Sequence, residues 1–139
     1  MTDRIRMFVY GSMLPGERDH ALLDGAEPLG PSRTEPLYTL VDLGAYGALI
    51  EGGRTAIAGE LYHVDRKLRF RLDVARECPV LFQRALVRVE GGEPAEAYVM
   101  RDEQVRGKRR LPHGDWRRRF APRQLPEHVR APSPFKKRW

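Results

Sequence analysis

The sequence has little of the chemistry that cross-links small domains or anchors them in membranes. One cysteine among 139 residues excludes an internal disulfide framework and any cysteine-rich zinc site. No apolar run approaches the roughly 20 residues that a membrane-spanning helix requires. The apolar segment near the amino terminus stops at Tyr10-Gly11-Ser12, before the uninterrupted core of a signal peptide is complete. We therefore expect a cytoplasmic protein that has no membrane partner.

The rest of the composition is typical of one folded domain. The length falls within the usual range for a single domain. Hydrophobic residues make up 41% and aromatic residues 9% of the chain, which excludes a wholly disordered protein. The four histidines show no metal-ligand spacing, so we predict no metal site.

The net charge of +6 is concentrated near the carboxyl end. Residues 1–100 contain 12 Lys and Arg against 15 Asp and Glu, whereas residues 101–139 contain 13 against 4. The second segment also contains five prolines, which prevent a long regular element. We predict a folded domain over residues 1–105 and a basic, proline-rich tail over residues 106–139.

The basic tail permits two interpretations. Its arginines and lysines, together with Trp116 and Phe120, are of the kind that bind the phosphate backbone and stack on bases of nucleic acids. Alternatively, the tail wraps the acidic body or keeps the protein in solution, which the negative charge of residues 1–100 favours. No helix-turn-helix, RNA-recognition signature or zinc finger accompanies it, so nucleic-acid binding is the less favoured interpretation.

Short apolar runs with strand-like alternation predict most of the secondary structure. Strands are predicted over residues 5–9, 38–43, 56–64, 85–89 and 95–100. Asp65 is placed to cap a helix over residues 67–75, which should end by Glu77 because Pro79 follows. Strands dominate, so we predict an α+β fold in which a small mixed-sheet β-barrel carries one or two helices.

Five segments occur in an order that resembles the gamma-glutamylcyclotransferase-like superfamily, which includes gamma-glutamylamine cyclotransferase. The segments are residues 8–13, 41–46, 59–64, 72–73 and 82–84. The resemblance implies a small barrel with a cavity, and it places the loop after the first strand, Tyr10–Met13, at the floor of that cavity.

The resemblance also implies a reaction and a ligand. Known activity in the family cleaves a γ-glutamyl amide without water, a cofactor or a metal. The α-amine of the substrate attacks its own γ-carbonyl, which gives 5-oxoproline and releases an amine. The loop would bind the glutamyl group because backbone N–H groups in a tight turn bind anions. The predicted substrate-binding residues are Tyr10, Gly11, Ser12, Met13, Arg76, Phe82, Arg84 and Tyr98.

The sequence departs from the family at the residue that would move the proton. Relatives typically have a glutamate near the end of the helix, and Arg76 occupies the matching position here. A guanidinium is not deprotonated in a protein, so Arg76 is excluded as the base. Two hypotheses follow. Either Glu77 is the catalytic residue of a cyclotransferase, or Arg76 lines the pocket of a catalytically altered scaffold that binds a small anionic ligand.

Overall fold

The computed structural model describes residues 4–120, which form one curled sheet and a single α-helix. The eight strands are β1 (Ile5–Val9), β2 (Glu27–Arg33), β3 (Tyr38–Asp42), β4 (Gly47–Glu51), β5 (Ala58–Val64), β6 (Gln83–Val87), β7 (Ala95–Met100) and β8 (Arg109–Arg110). Helix α1 spans Arg66–Ala75. Short 3-10 turns occupy Gly11–Met13, His20–Leu23, Asp102–Val105 and Trp116–Arg118.

The sheet is mixed and curls into a half-barrel. Its strand order is β2-β5-β1-β7-β4-β3-β8, with β6 paired to β7 beside this path. Strand β7 is parallel to both β1 and β4, while the other pairs are antiparallel. The predicted α+β fold with a small mixed sheet is therefore confirmed. No helix within residues 4–120 is long and apolar enough to cross a membrane.

Both faces of the sheet are buried at the end of β1, which explains why β1 is an apolar run rather than a strict alternation. Met7 and Val9 belong to a core cluster that includes Leu68 and Leu72 of α1. On the opposite face, Phe8 belongs to a second cluster, which also contains Leu40, Leu49, Leu111 and Trp116. The sheet thus separates two cores, one under α1 and one under the carboxyl-terminal part of the described chain.

Helix α1 begins and ends through specific local contacts. The Asp65 carboxylate accepts a hydrogen bond from the N–H of Leu68 at 2.8 Å, as predicted for an N-cap. At the other end, the N–H groups of Glu77 and Cys78 bind the carbonyls of Val74 and Asp73. These two bonds form a Schellman motif, which requires a left-handed residue after the cap. Glu77 is that residue, with φ of 51°.

The sequence analysis missed strands β2, β4 and β8. Strand β2 contains Pro28, Gly30 and Pro31, which are disfavoured inside a sheet. It is nevertheless an edge strand that pairs along one side with β5, where an absent N–H group is tolerated. Pairing partners distant in the sequence determine such strands, and local alternation does not reveal them.

Part of the predicted tail packs against the body. Strand β8 pairs with β3, and Leu111 and Trp116 are each 1% exposed. Gly114 lies so close to the carbonyl of Ala56 that no side chain would fit. Residues 109–119, called the C-terminal segment below, therefore contribute to the second core. Residues 121–139 of the predicted tail lie outside the described residues.

Candidate functional site

A narrow pocket opens where the carboxyl end of β1 meets the end of α1. Its cavity volume is about 10 Å³. The carboxyl end of β1, the following loop, the start of β4 and β7 contribute to its wall. The residues that line it are Phe8, Val9, Tyr10, Ser12, Met13, Gly47, Arg76, Phe82 and Tyr98.

The loop after β1 forms the floor of the pocket through a 3-10 turn. Gly11 adopts φ of 64°, and a side chain there would stand 3.4 Å from the backbone nitrogen of Gly47. The left-handed backbone is what requires glycine here, since glycine adopts such a conformation at low cost. Within the turn, the N–H groups of Met13 and Leu14 already donate hydrogen bonds to the carbonyls of Tyr10 and Gly11. The predicted N–H cradle is thereby reduced to Gly11 and Ser12.

Tyr10 lines the pocket, and its hydroxyl bonds to two neighbouring strands. The hydroxyl donates to the carbonyl of Tyr98 at 2.6 Å and accepts from the N–H of Leu49 at 2.9 Å. Burial raises the pKa of Tyr10 to about 12, although the Leu49 N–H and the Arg76 charge oppose this shift. Tyr10 thus remains neutral at physiological pH and joins β1 to β4 and β7.

Arg76 is the charged group of the pocket. As the C-cap of α1 it is 8% exposed, and its Nη2 donates to the Ser12 hydroxyl at 3.3 Å. The guanidinium carbon lies 5.9 Å from the ring centre of Tyr46 and 5.5 Å from that of Phe82. These contacts are within the range of cation–π attraction. The aromatic rings and Ser12 fix the position of the charge.

Asp19 supplies the nearest carboxylate to this charge among the described residues. Its Oδ2 accepts a hydrogen bond of 2.6 Å from Ser12 and lies 3.7 Å from Nη2 of Arg76. Sequence reasoning did not single out Asp19. The signal that could have found it is its position shortly after the loop, where the chain turns back and its N–H binds the carbonyl of Ser12.

Tyr98 and Arg84 belong to a polar cluster between the sheet and α1. The Tyr98 ring lines the pocket, but its hydroxyl donates to Asp73 at 2.5 Å. Burial raises the pKa of Tyr98, and the hydrogen bond to Asp73 raises it further. Arg84 pairs with Asp73 at 3.0 Å and with Glu96 at 3.5 Å. Burial lowers the pKa of Arg84, but both carboxylates outweigh it and raise the pKa.

The structure places two of the predicted site residues outside the pocket lining. Arg84 is absent from the pocket lining among the described residues, because β6 directs its side chain toward α1. Glu77 is exposed and likewise lies outside the lining, because the left-handed backbone at this position ends the helix. Of the other predicted residues, Gly11 supports the loop. The structure brings together Tyr10, Ser12, Met13, Arg76, Phe82 and Tyr98.

The C-terminal segment holds the loop that follows the pocket floor. Both terminal nitrogens of Arg117 donate to the carbonyl of Pro15, at 3.0 and 2.8 Å. The indole N–H of Trp116 donates to Glu17 at 3.3 Å, and the Arg119 guanidinium lies 4.2 Å from the Trp116 ring centre. These basic and aromatic residues thus bind the body of the protein, as expected if the tail wraps the acidic body.

No group of three or more His, Cys, Asp or Glu side chains within residues 4–120 is arranged to hold a metal ion. The pocket residues themselves offer a guanidinium, hydroxyls and aromatic rings. These groups bind carboxylates and polar organic molecules, and they are not ligands that metal ions prefer.

Comparison with known proteins places this architecture in a family. Residues 7–118 match the family described as gamma-glutamyl cyclotransferase, AIG2-like. The chain is 36% identical over 110 residues to a Vibrio cholerae protein named "Putative gamma-glutamylcyclotransferase", covering 79% of this chain and 93% of that one. It is 33% identical over 93 residues to the human gamma-glutamylaminecyclotransferase, and the match covers 60% of this chain and 61% of the human protein.

A solved structure agrees with this assignment. The solution NMR structure of protein ytfP from Escherichia coli superposes with a TM-score of 0.64 and 30% identity, covering 81% of this chain and 96% of that chain. The sequence match, the half-barrel and the pocket at the loop after β1 concur. The chain therefore belongs to the gamma-glutamyl cyclotransferase, AIG2-like family.

Proposed function

We propose that the pocket binds the carboxylate-bearing part of a small γ-glutamyl molecule through Arg76, without closing the 5-oxoproline ring. The observation that supports this proposal is the position of two neighbouring side chains: Arg76 lines the pocket, whereas Glu77 is exposed outside it. A guanidinium stays protonated, so it holds an anion and does not accept the proton of an attacking amine.

The surroundings of Arg76 strengthen its attraction for a carboxylate. Its side chain is 10% exposed, and charges interact more strongly where water is excluded. The planar guanidinium is suited to bind both oxygens of a carboxylate. Both of its polar contacts within the described residues use Nη2, which leaves Nη1 and Nε for a ligand.

The size of the pocket limits which part of a ligand it recognises. Its cavity volume is about 10 Å³, which is room for about one water molecule. Binding of a carboxylate at Arg76 therefore requires the side chains that line the pocket to move apart, and the rest of the ligand would lie outside the pocket. The site would thus recognise the carboxylate-bearing end of its ligand.

Calorimetric titration of L-γ-glutamylmethylamide into the wild-type chain and two variants tests the proposal. Arg76→Gln should weaken binding by about 10- to 100-fold, the usual effect of losing a hydrogen bond to a charged group. Arg84→Gln is the matched control, because Arg84 lies outside the pocket and pairs with Asp73 and Glu96. Equal affinity of Arg76→Gln and the wild-type chain would refute the proposal.

The second candidate function is cyclotransfer itself, which family membership and the loop Tyr10–Met13 favour. In that case Glu77 would carry the proton from the attacking amine to the leaving one. The wild-type chain would release 5-oxoproline from γ-glutamylmethylamide, and Glu77→Gln would slow this by at least ~10²-fold. Mass spectrometry of the reaction mixture distinguishes the two functions, since our preferred proposal expects the amide to remain intact.

A further inference from the structure

Opposite charges lie side by side at the edge of the pocket, because Arg76 lines it and Asp19, which is outside the lining, lies next to Arg76. Oδ2 of Asp19 is 3.7 Å from Nη2 of Arg76. The hydroxyl of Ser12 connects them, because it donates to Asp19 at 2.6 Å and accepts from Arg76 at 3.3 Å. The Asp19 side chain keeps 23% of its surface exposed, and its Oδ1 lies 3.6 Å from Nε of the exposed Arg18. Because an exposed ion pair of this kind contributes little stability, an ammonium group can take the place of Arg18. The proposed function uses Arg76 and assigns no role to Asp19.

We propose that Asp19 and Arg76 together bind the α-amino-acid head group of the ligand, with its ammonium on Asp19 and its carboxylate on Arg76. This inference rests on the proposed function and names the feature that the pocket recognises. In an α-amino acid, one carbon atom carries both charged groups, so a complementary site needs opposite charges next to each other. The Asp19–Arg76 pair has this arrangement, and Ser12, which lines the pocket, offers a third polar contact.

The charge balance of the pair makes the site selective. An isolated buried arginine would attract any anion, including one that carries two carboxylates. With Asp19 beside Arg76, a second carboxylate near the head group would meet a like charge, and such unfavourable contacts reject wrong ligands. A zwitterion satisfies both residues and leaves no charge unpaired. Asp19 is therefore a specificity-determining residue of the site.

The same pairing works against ring closure. The α-amine attacks a carbonyl carbon only through its lone pair, which exists when the amine has lost its proton. A nearby negative charge favours the protonated ammonium. An ammonium bound to Asp19 thus stays protonated and is not a nucleophile, which accords with a site that binds a γ-glutamyl group and leaves its amide bond intact.

Two ligands and two variants test the role of Asp19. The ligands are L-γ-glutamylmethylamide and its Nα-acetyl derivative, which keeps the carboxylate and lacks the ammonium. Asp19→Asn should weaken binding of the free amine by about 10- to 100-fold and leave binding of the acetyl derivative unchanged or tighter. Asp24→Asn, which alters an exposed acidic residue nearby, is the matched control and should change neither affinity.

The outcomes separate this inference from the proposed function. Undiminished binding of the acetyl derivative shows that Asp19→Asn still folds and that Arg76 keeps its position. An equal loss for both ligands, or no loss for either, overturns the role of Asp19 while the effect of Arg76→Gln still supports the proposed function. If the wild-type chain binds neither ligand, both the proposed function and this inference are overturned.

Discussion

At the residue scale, Glu77 combines a left-handed backbone with an L side chain at the end of α1. This conformation costs an L residue about 1–2 kcal/mol. Glycine avoids that cost, but its more flexible unfolded chain lowers the free energy of unfolding by about 0.5–1 kcal/mol. Glu77→Gly should therefore raise the free energy of unfolding by roughly 0.5–1 kcal/mol, measured by urea denaturation.

Glu77→Ala separates this backbone effect from the loss of the carboxylate. Alanine removes the acidic group but keeps the Cβ atom, so this variant should not gain the stability that Glu77→Gly gains. Both variants should bind γ-glutamylmethylamide like the wild-type chain, because Glu77 lies outside the pocket. An equal stability gain in both would show that the carboxylate, and not the backbone, is unfavourable.

At the element scale, the C-terminal segment restrains the loop after β1 through Arg117, which binds the carbonyl of Pro15. Losing this contact in Arg117→Ala should raise amide hydrogen exchange about tenfold in residues 12–20, equivalent to roughly 1.4 kcal/mol of local stability. Arg118→Ala is the matched control at an exposed neighbour. A uniform rise across the whole sheet would contradict a local restraint.

At the scale of the whole molecule, buried tyrosines make stability depend on alkaline pH. The pKa of Tyr10 is about 12 when folded, against a reference value of 10.0. The stability that this shift represents is complete below pH 10 and is lost as the pH rises toward 12. The loss is on the order of 2–3 kcal/mol for this one group.

Denaturant titrations from pH 8 to 11 measure this dependence. The wild-type chain should lose stability above pH 10, and Tyr10→Phe should lose less, because phenylalanine does not ionise. Tyr10→Phe will be less stable at every pH, since it also lacks the hydrogen bonds to Tyr98 and Leu49; the informative quantity is the slope. Identical slopes would contradict the assignment to Tyr10.

Local patterns in the sequence predict the parts of this fold whose signals are local. The short apolar run of β1 and the Asp65 cap are such signals, and the structure has the strand and the cap there. Strand β2 and the burial of Trp116 depend on partners far away along the chain. Within the site, the sequence indicated both Arg76 and Glu77, but the backbone conformation at Glu77 determines which one faces the pocket.

The contacts from Trp116 and Arg117 to the loop join parts of the chain that are about 100 residues apart. We expect binding at the pocket to be coupled to docking of the C-terminal segment through this loop, and such coupling is reciprocal. A ligand that orders the loop also favours the docked segment and lowers the population in which a protease can reach it. Resistance of the C-terminal segment to cleavage would thus report occupancy of a pocket that the protease never contacts.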